Sequence, residues 1–273
     1  MWLNSLIDWA DLVVAEGFIE PHFFAGFSGG RKSILPGIAY AETVLANHCS
    51  EFIANQYATT GNMVNNPINQ DMIYASQKAG LKFILNVVLD SNKKIIGAFA
   101  GDPEKAHQVG CDFVKQLAQV KAVPAPIVIT SNGGYPLDQN IYQAVKGMTA
   151  AEACVEQGGA IVIVASCIDR HGGDRFYEWF ANATSPVHVM NKILAIPRNQ
   201  TLPDQWQAQI LSRVLQKCTV ILVTDMCPPE LIENMHMTHA YTLEEGIKKA
   251  ELITSPNADI TVIPDGVGVI IRQ

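Results

Sequence analysis

Ile127-Val-Ile-Thr-Ser-Asn-Gly-Gly-Tyr135 is the stretch whose reading decides the fold. Four apolar or β-branched residues follow Pro126 and stop at polar residues and a glycine pair, which is the signature of a short strand buried on both faces. The design recurs at Ala160-Ile-Val-Ile-Val164 and Val220-Ile-Leu-Val-Thr224, with helical segments between. Buried strands alternating with helices predict a doubly wound, mostly parallel α/β sheet. Each run ends in a polar loop: Ser131-Asn-Gly-Gly-Tyr135, Ser166-Cys-Ile-Asp-Arg-His-Gly-Gly173 and Asp225-Met-Cys-Pro-Pro229. Loops at these carboxyl ends are where open α/β sheets bind ligands.

Upstream, Lys121-Ala-Val-Pro-Ala-Pro126 is a proline-marked connector, and it sets a boundary between a first α/β domain, 1–122, and a second, 123–252. In the first, Asp11-Leu-Val-Val-Ala15 predicts a short strand. Asn66-Pro67 opens a helix that Gly80 ends, and two strands, Leu81 to Leu89 and Lys94 to Phe99, flank the turn Asp90-Ser-Asn-Lys93. Asp102-Pro103 starts a further helix reaching about Val120, on which His107 reads as a surface residue. Asp259-Ile-Thr-Val-Ile-Pro264 is one more strand-like run. Arg170, His171 and Arg175 read as surface or hinge residues.

The chemistry concentrates between Gly17 and His48. Gly26, Gly29 and Gly30 allow positive φ and close approach to a ligand, with amides able to meet an anion, and Lys32 follows them. Gly26-Phe-Ser-Gly-Gly-Arg-Lys-Ser33 imitates a nucleotide-phosphate loop but has Arg31 in place of the second glycine and Pro36 where the helix should run. In the second domain a helix from Asp138 puts Gln143 and Lys146 on one face, an amide and a cation suited to a carboxylate and its neighbouring oxygen. A solvated helix face is the competing reading of that pair.

His22 and His48, with Ser28-Gly-Gly-Arg-Lys-Ser-Ile-Leu-Pro-Gly-Ile-Ala39 between them, resemble the signature of the nickel-dependent lactate racemase family, and the resemblance continues through Ser131 to Lys146 and on to Trp206. In that family a pyridinium mononucleotide bearing two sulfurs is joined to a lysine by a thioamide and holds nickel. The resemblance implies Lys32 as the tether, with Gly29 and Gly30 beside the cofactor, and His48 as the nickel ligand. It further implies His22 as an acid/base group, Gln143 and Lys146 as substrate contacts, and Trp206 lining the pocket. Substrate would be lactate or a related 2-hydroxy acid, and cofactor-synthesis enzymes would be partners.

The resemblance also implies a region before Asp11 with a second acid/base histidine, which this chain is expected to lack. The chain is then expected to be a fragment of a longer protein or a truncated paralogue, that part lying in the longer chain or a separate subunit, with the first domain incomplete and this chain inactive by itself. Residues from about 253, to 273, are expected to return to the first domain. The alternative is a non-catalytic module that binds a nickel-pyridinium or other phosphorylated ligand.

Composition narrows the setting. A formal net charge of −7 without a Lys/Arg cluster argues against nucleic acid. No apolar run approaches ~18 residues, so no membrane span is expected. Met1 to Ala10 lack the features of a signal peptide, and the cytoplasm is the default. Six cysteines without a C-x-x-C pair read as buried thiols rather than disulfides or a zinc site, Cys49 beside His48 among them.

Overall fold

In the first unit, β1 (Val13–Phe18) leads into a small hairpin of β2 (Pro21–His22) and β3 (Gly26–Phe27), and β4 (Leu81–Leu89) and β5 (Ile95–Gly101) follow later. β1 runs parallel to β4, and β5 closes the other edge antiparallel, so the sheet has the order β1–β4–β5. The computed structural model describes residues 1–272 and separates into two units, one made of 1–119 with 197–201, the other of 120–196 with the residues from 202 onward.

Local chemistry starts the helices where the sequence placed them. The Asn66 side chain accepts from the amides of Ile68 and Asn69 at the head of Pro67–Lys78, and Asp102 accepts from Glu104 and Lys105 at the head of Pro103–Ala118. The second helix lies on β4 and β5 through Gly110, where a Cβ would come within 2.3 Å of Ile19 Cδ1. His107, one turn earlier, is 3% exposed, not the surface residue expected, because its ring packs against Gly30, where a Cβ would come within 2.8 Å of it.

The second unit contains β6 (Gln119–Lys121), from Val120 on, then β7 (Ala125–Ser131), β8 (Val155–Val164), β9 (Thr219–Val223), β10 (Thr238–Ala240), β11 (Ile260–Ile263) and β12 (Ile270–Arg272). Five of these form one parallel sheet in the order β10–β9–β8–β7–β11, and β12 pairs with β6. Ile127, Ala160, Val162, Ile221 and Val223 pack as one buried cluster with Ala240 and Ala250, which accounts for the unbroken apolar runs.

Two boundary expectations are corrected. The residues from about 253 do not return to the first unit, because β11 completes a parallel ladder with β7 from Ile260↔Ile127 to Ile263↔Thr130. Residues 197–201 instead leave the second stretch and pack with the first unit, where Arg198 donates to the Ala46 carbonyl at 3.0 Å and lies 4.2 Å from the Phe52 ring centroid.

Strand order reverses at β7, so the crevice of this sheet opens at the carboxyl ends of β7 and β11. Ser131 Oγ donates to the Pro264 carbonyl at 2.6 Å and the Gly266 amide to the Ser131 carbonyl at 3.0 Å. A Cβ on Gly266 would sit 2.7 Å from Thr130 Oγ1 and 2.8 Å from the Gly147 backbone, so only glycine lets β11's end meet the helix Ile141–Glu152. Gly266→Ala should cost about 1–3 kcal/mol by forcing that backbone apart, and urea unfolding of the variant against the parent measures it.

Candidate active site

Arg31 organises the region around it. The residue is 4% exposed, and its guanidinium faces no carboxylate in its hydrogen-bonding set. Instead Nε donates to Asn69 Oδ1 at 2.8 Å, Nη2 to the Ala25 carbonyl at 2.8 Å, and Nη1 to the carbonyls of Phe27 at 2.9 Å and Gly29 at 3.3 Å. Burial lowers its pKa to about 10, which still leaves it a cation at neutral pH. Three carbonyls of one loop therefore converge on one charge, and the loop curls around its own arginine.

The neighbouring glycines serve this curl. Gly29 and Gly30 have φ of 79° and 53°, and a Cβ on either would meet Asn86 Oδ1 at 2.9 Å or the His107 ring at 2.8 Å. The Gly30 amide is already donated to Asn86 Oδ1 at 2.8 Å, so the expectation that it meets an anion is corrected. His107 Nε2 lies 2.8 Å from the Ser28 carbonyl, and burial with the nearby Arg31 charge lowers its pKa to about 4. The Cys111 sulfur is 3.7 and 3.6 Å from the two ring nitrogens, so it lies over the ring face and not in a hydrogen bond along its plane.

Lys32 follows on the short 3₁₀ turn Gly30–Ser33, half-buried. Its charge reaches His48, whose pKa burial lowers to about 4 with Lys32 adding to the fall. His48 Nδ1 stands 2.9 Å from the Val44 carbonyl, which can only accept. Nδ1 therefore carries the proton, and Nε2 carries the lone pair of a neutral imidazole. That is the arrangement of a metal-binding histidine held by a backbone carbonyl.

His22 is set the opposite way. Its Nδ1 accepts from the Ala25 amide at 3.3 Å across the β2–β3 hairpin, which leaves the proton of the neutral ring on Nε2. Phe24 stands edge-on to both histidines, 4.6 Å from His22 and 5.2 Å from His48 between ring centroids. The structure thus brings His22, Lys32 and His48 into one region of the first unit. Among the described residues no three His, Cys, Asp or Glu side chains gather as a metal cage.

Gln143, Lys146 and Trp206 belong to the second unit. Gln143 and Lys146 lie on the helix Ile141–Glu152, both half-buried, and Gln143 Oε1 is sealed from solvent without a hydrogen-bond partner. Trp206 Nε1 donates to the Tyr142 hydroxyl at 3.0 Å, which ties the helix Gln205–Lys217 to the turn bearing Gln143. Burial chiefly, with Asp204 nearby, raises Tyr142 to about 12, so it remains a phenol.

Within each unit other positioning residues carry no local sequence signal. Asn132 donates to the carbonyls of Leu137 and Gln143 and accepts from the Gly147 amide at 2.8 Å, clamping the loop after β7 to the helix. The carbonyls of Arg170 and His171 accept from the amides of Ile141 and Tyr142, so that loop braces the helix start. For Asn132 the only available hint was its place beside Gly133-Gly134; for Arg31 it was a charge inside a glycine-rich turn.

Arg31→Met should destabilise the protein by about 3 kcal/mol or more, since it strands the carbonyls of Ala25 and Phe27 and Asn69 Oδ1, as urea unfolding would show. His107 gives a pH signature. Its folded pKa, about 4, is below its ordinary value near 6.5, so its contribution is complete above about pH 6.5 and is lost as pH falls through 4, at roughly 1.4 kcal/mol per pH unit. His107→Gln should remove about one proton's worth of slope between those limits, and unchanged slope would refute the assignment.

The family's N-terminal domain model, the lactate racemase N-terminal domain, matches residues 1–61, and that of the lactate racemase C-terminal domain matches 120–271. The chain is 62% identical over 271 residues to a lactate racemase of Thermoanaerobacterium thermosaccharolyticum and 56% over 270 residues to one of Lactiplantibacillus plantarum. Each match takes in 99% of this chain and 64% of the relative, so the chain spans just under two thirds of their length. The solved lactate racemase apoprotein from T. thermosaccharolyticum superposes with a TM-score of 0.98 at 62% identity, covering 99% of this chain and 65% of that one. A Thermotoga maritima crystal structure, 19% identical with a TM-score of 0.68 over 99% of this chain and 69% of its own, shares the fold. The expected absence of the N-terminal region is corrected in one respect, since residues 1–61 carry N-terminal-domain sequence. With a C-terminal domain matched over more than half its residues and two relatives above 50% identity, this chain belongs to the lactate racemase family.

Proposed function

We propose that the chain carries the cofactor-tethering and substrate-binding parts of a racemase or epimerase acting on lactate or a related 2-hydroxy acid. The observation that carries this reading is His48: buried, neutral, its Nδ1 proton given to the Val44 carbonyl, and beside the Lys32 charge. These residues fit a lysine-tethered nickel-pincer pyridinium mononucleotide, with the Lys32 amine as the thioamide anchor and His48 Nε2 as a neutral nitrogen donor to nickel. When bound, that group would supply an electrophilic pyridinium carbon for hydride. Sulfur and carbon donors of the group would complete the coordination, which accords with one protein histidine rather than a cage.

The chain's own residues would do the remaining work. His22, its Nδ1 accepting from the Ala25 amide, would offer Nε2–H as a hydrogen-bond donor to a substrate oxygen, and only its imidazolium form would give up a proton. Taking one at Nε2 requires the other tautomer and gives up a long 3.3 Å bond, a small loss. Lys146 would hold the carboxylate, with Gln143 beside it on the same helix for the neighbouring oxygen. Trp206 would line this pocket through its hold on Tyr142. A cytoplasmic setting suits six buried free thiols. The further polypeptide of the family, in a longer chain or a separate subunit, would add the second acid/base group, and cofactor-synthesis enzymes would load the site. The second reading, a module that binds the nickel-pyridinium group or another phosphorylated ligand without turnover, stands on His22 being the one expected acid/base group here.

Protein produced with the cofactor-synthesis enzymes separates the roles. Lys32→Ala should abolish the covalent mass adduct, whereas His48→Ala should lower nickel content with the adduct retained. His22→Ala should keep nickel and lower turnover by about 10²- to 10⁴-fold. Lys146→Ala should weaken 2-hydroxy acid binding with loading intact. An adduct at full occupancy on Lys32→Ala would end this reading, and loaded protein without chiral interconversion of lactate would favour the binding module.

A further inference from the structure

His48 sits at the joint of two short helices, Ala41–Asn47 and Ser50–Ile53, and closes the first at its C-terminal end. The Val44 carbonyl accepts from the His48 amide at 3.0 Å and stands 2.9 Å from its Nδ1. The direction of Nε2 is therefore set by how the last turn of that helix lies. A seven-residue helix does not hold itself in water, so tertiary contacts have to fix it. Its final carbonyls find no partners further along the helix, and its last turn carries no basic residue of its own.

A cation arrives instead from far along the chain. Arg198 Nε donates to the Ala46 carbonyl at 3.0 Å, across 152 residues of sequence. Its guanidinium lies 4.2 Å from the Phe52 ring centroid, and its Nη2 is 3.5 Å from Asp71 Oδ2. Asn47 Nδ2 donates to that same oxygen at 3.2 Å and to the Ile68 carbonyl at 3.2 Å. Ala46 and Asn47 immediately precede His48, and Phe52 lies on the helix after it, so these contacts hold the backbone on both sides of the histidine. Arg198 is itself presented on a closed turn, where Thr201 Oγ1 donates to its carbonyl at 2.9 Å and the Gln200 amide to the Pro197 carbonyl at 2.8 Å. The ion pair with Asp71 is partly exposed and adds little stability. What the planar guanidinium supplies is direction, since one rigid group meets a helix-end carbonyl, a ring face and a carboxylate together.

We propose that Arg198 is a positioning residue for the metal donor: as the cap of the helix Ala41–Asn47 it fixes the His48 ring, so that Nδ1 keeps its proton and Nε2 keeps one direction. The inference rests on the reading of His48 as the nickel donor. Its first test reads the imidazole of the cofactor-free protein and its second reads the metal, so a failure of the cap and a failure of that reading are distinguishable.

Arg198→Met keeps an aliphatic contact with Phe52 and loses the donor, whereas Arg198→Lys keeps a cation able to reach the Ala46 carbonyl. In NMR of the labelled ring nitrogens, with the His48 signal identified by its loss in His48→Ala, the parent should show one tautomer, protonated on Nδ1. Arg198→Met should bring both tautomers into exchange and speed hydrogen exchange at the His48 amide by about tenfold or more, while Arg198→Lys stays near the parent. After loading, Arg198→Met should release nickel to a chelator about 10- to 100-fold faster with the mass adduct intact. Arg213→Met, the same swap at an arginine paired with Glu152 in the second unit, should change none of these. A His48 ring and amide unchanged in Arg198→Met, or Arg198→Lys as impaired as Arg198→Met, would overturn the capping role. An altered ring with unchanged nickel release would leave the cap standing and overturn the nickel role of His48 on which the inference rests.

Discussion

Burying one guanidinium without a carboxylate beside it is the constraint on which the Gly17 to His48 region depends. A cation removed from water needs acceptors on every side, and Arg31 finds them in the carbonyls of Ala25, Phe27 and Gly29 and the amide oxygen of Asn69. Satisfying it bends the loop back on itself, which seats the β2–β3 hairpin and with it His22. The same turn places Lys32, the next residue, on the half-buried side. Gly29 and Gly30 are needed because the curl presses them against Asn86 and His107.

The two histidines of this region show how backbone groups assign chemistry to identical side chains. An amide of Ala25 pointing at His22 Nδ1 and a carbonyl of Val44 facing His48 Nδ1 put the neutral proton on opposite nitrogens. Burial then keeps His48 neutral far below physiological pH. One ring presents an N–H and the other a lone pair, with Phe24 edge-on to each.

In the second unit the corresponding part is played by contact between backbones. Gly147 and Gly266 let a helix and a strand end touch, and Asn132 holds the intervening loop to the first turns of that helix. Gln143 and Lys146 are thereby fixed on an element whose start is braced by the carbonyls of Arg170 and His171.

The sequence by itself determined the elements and the chemistry they offer. Unbroken apolar runs such as Ala160 to Val164 can only be satisfied inside a parallel sheet, and Asn66-Pro67 and Asp102-Pro103 start helices through side chains next to the amides they cap. His22, Lys32 and His48 could be singled out for the same reason, since all three lie in one short stretch that carries the family resemblance. Tertiary structure alone decided what depends on distant partners. It buried His107 against Gly30, placed β11 beside β7 rather than in the first unit, and drew residues 197–201 away through Arg198. It also chose which nitrogen of His48 holds the proton, a matter of where one carbonyl points. Periodicity and capping act over a few residues and are written in the chain, whereas burial and hydrogen-bond direction are set by groups that only folding brings near.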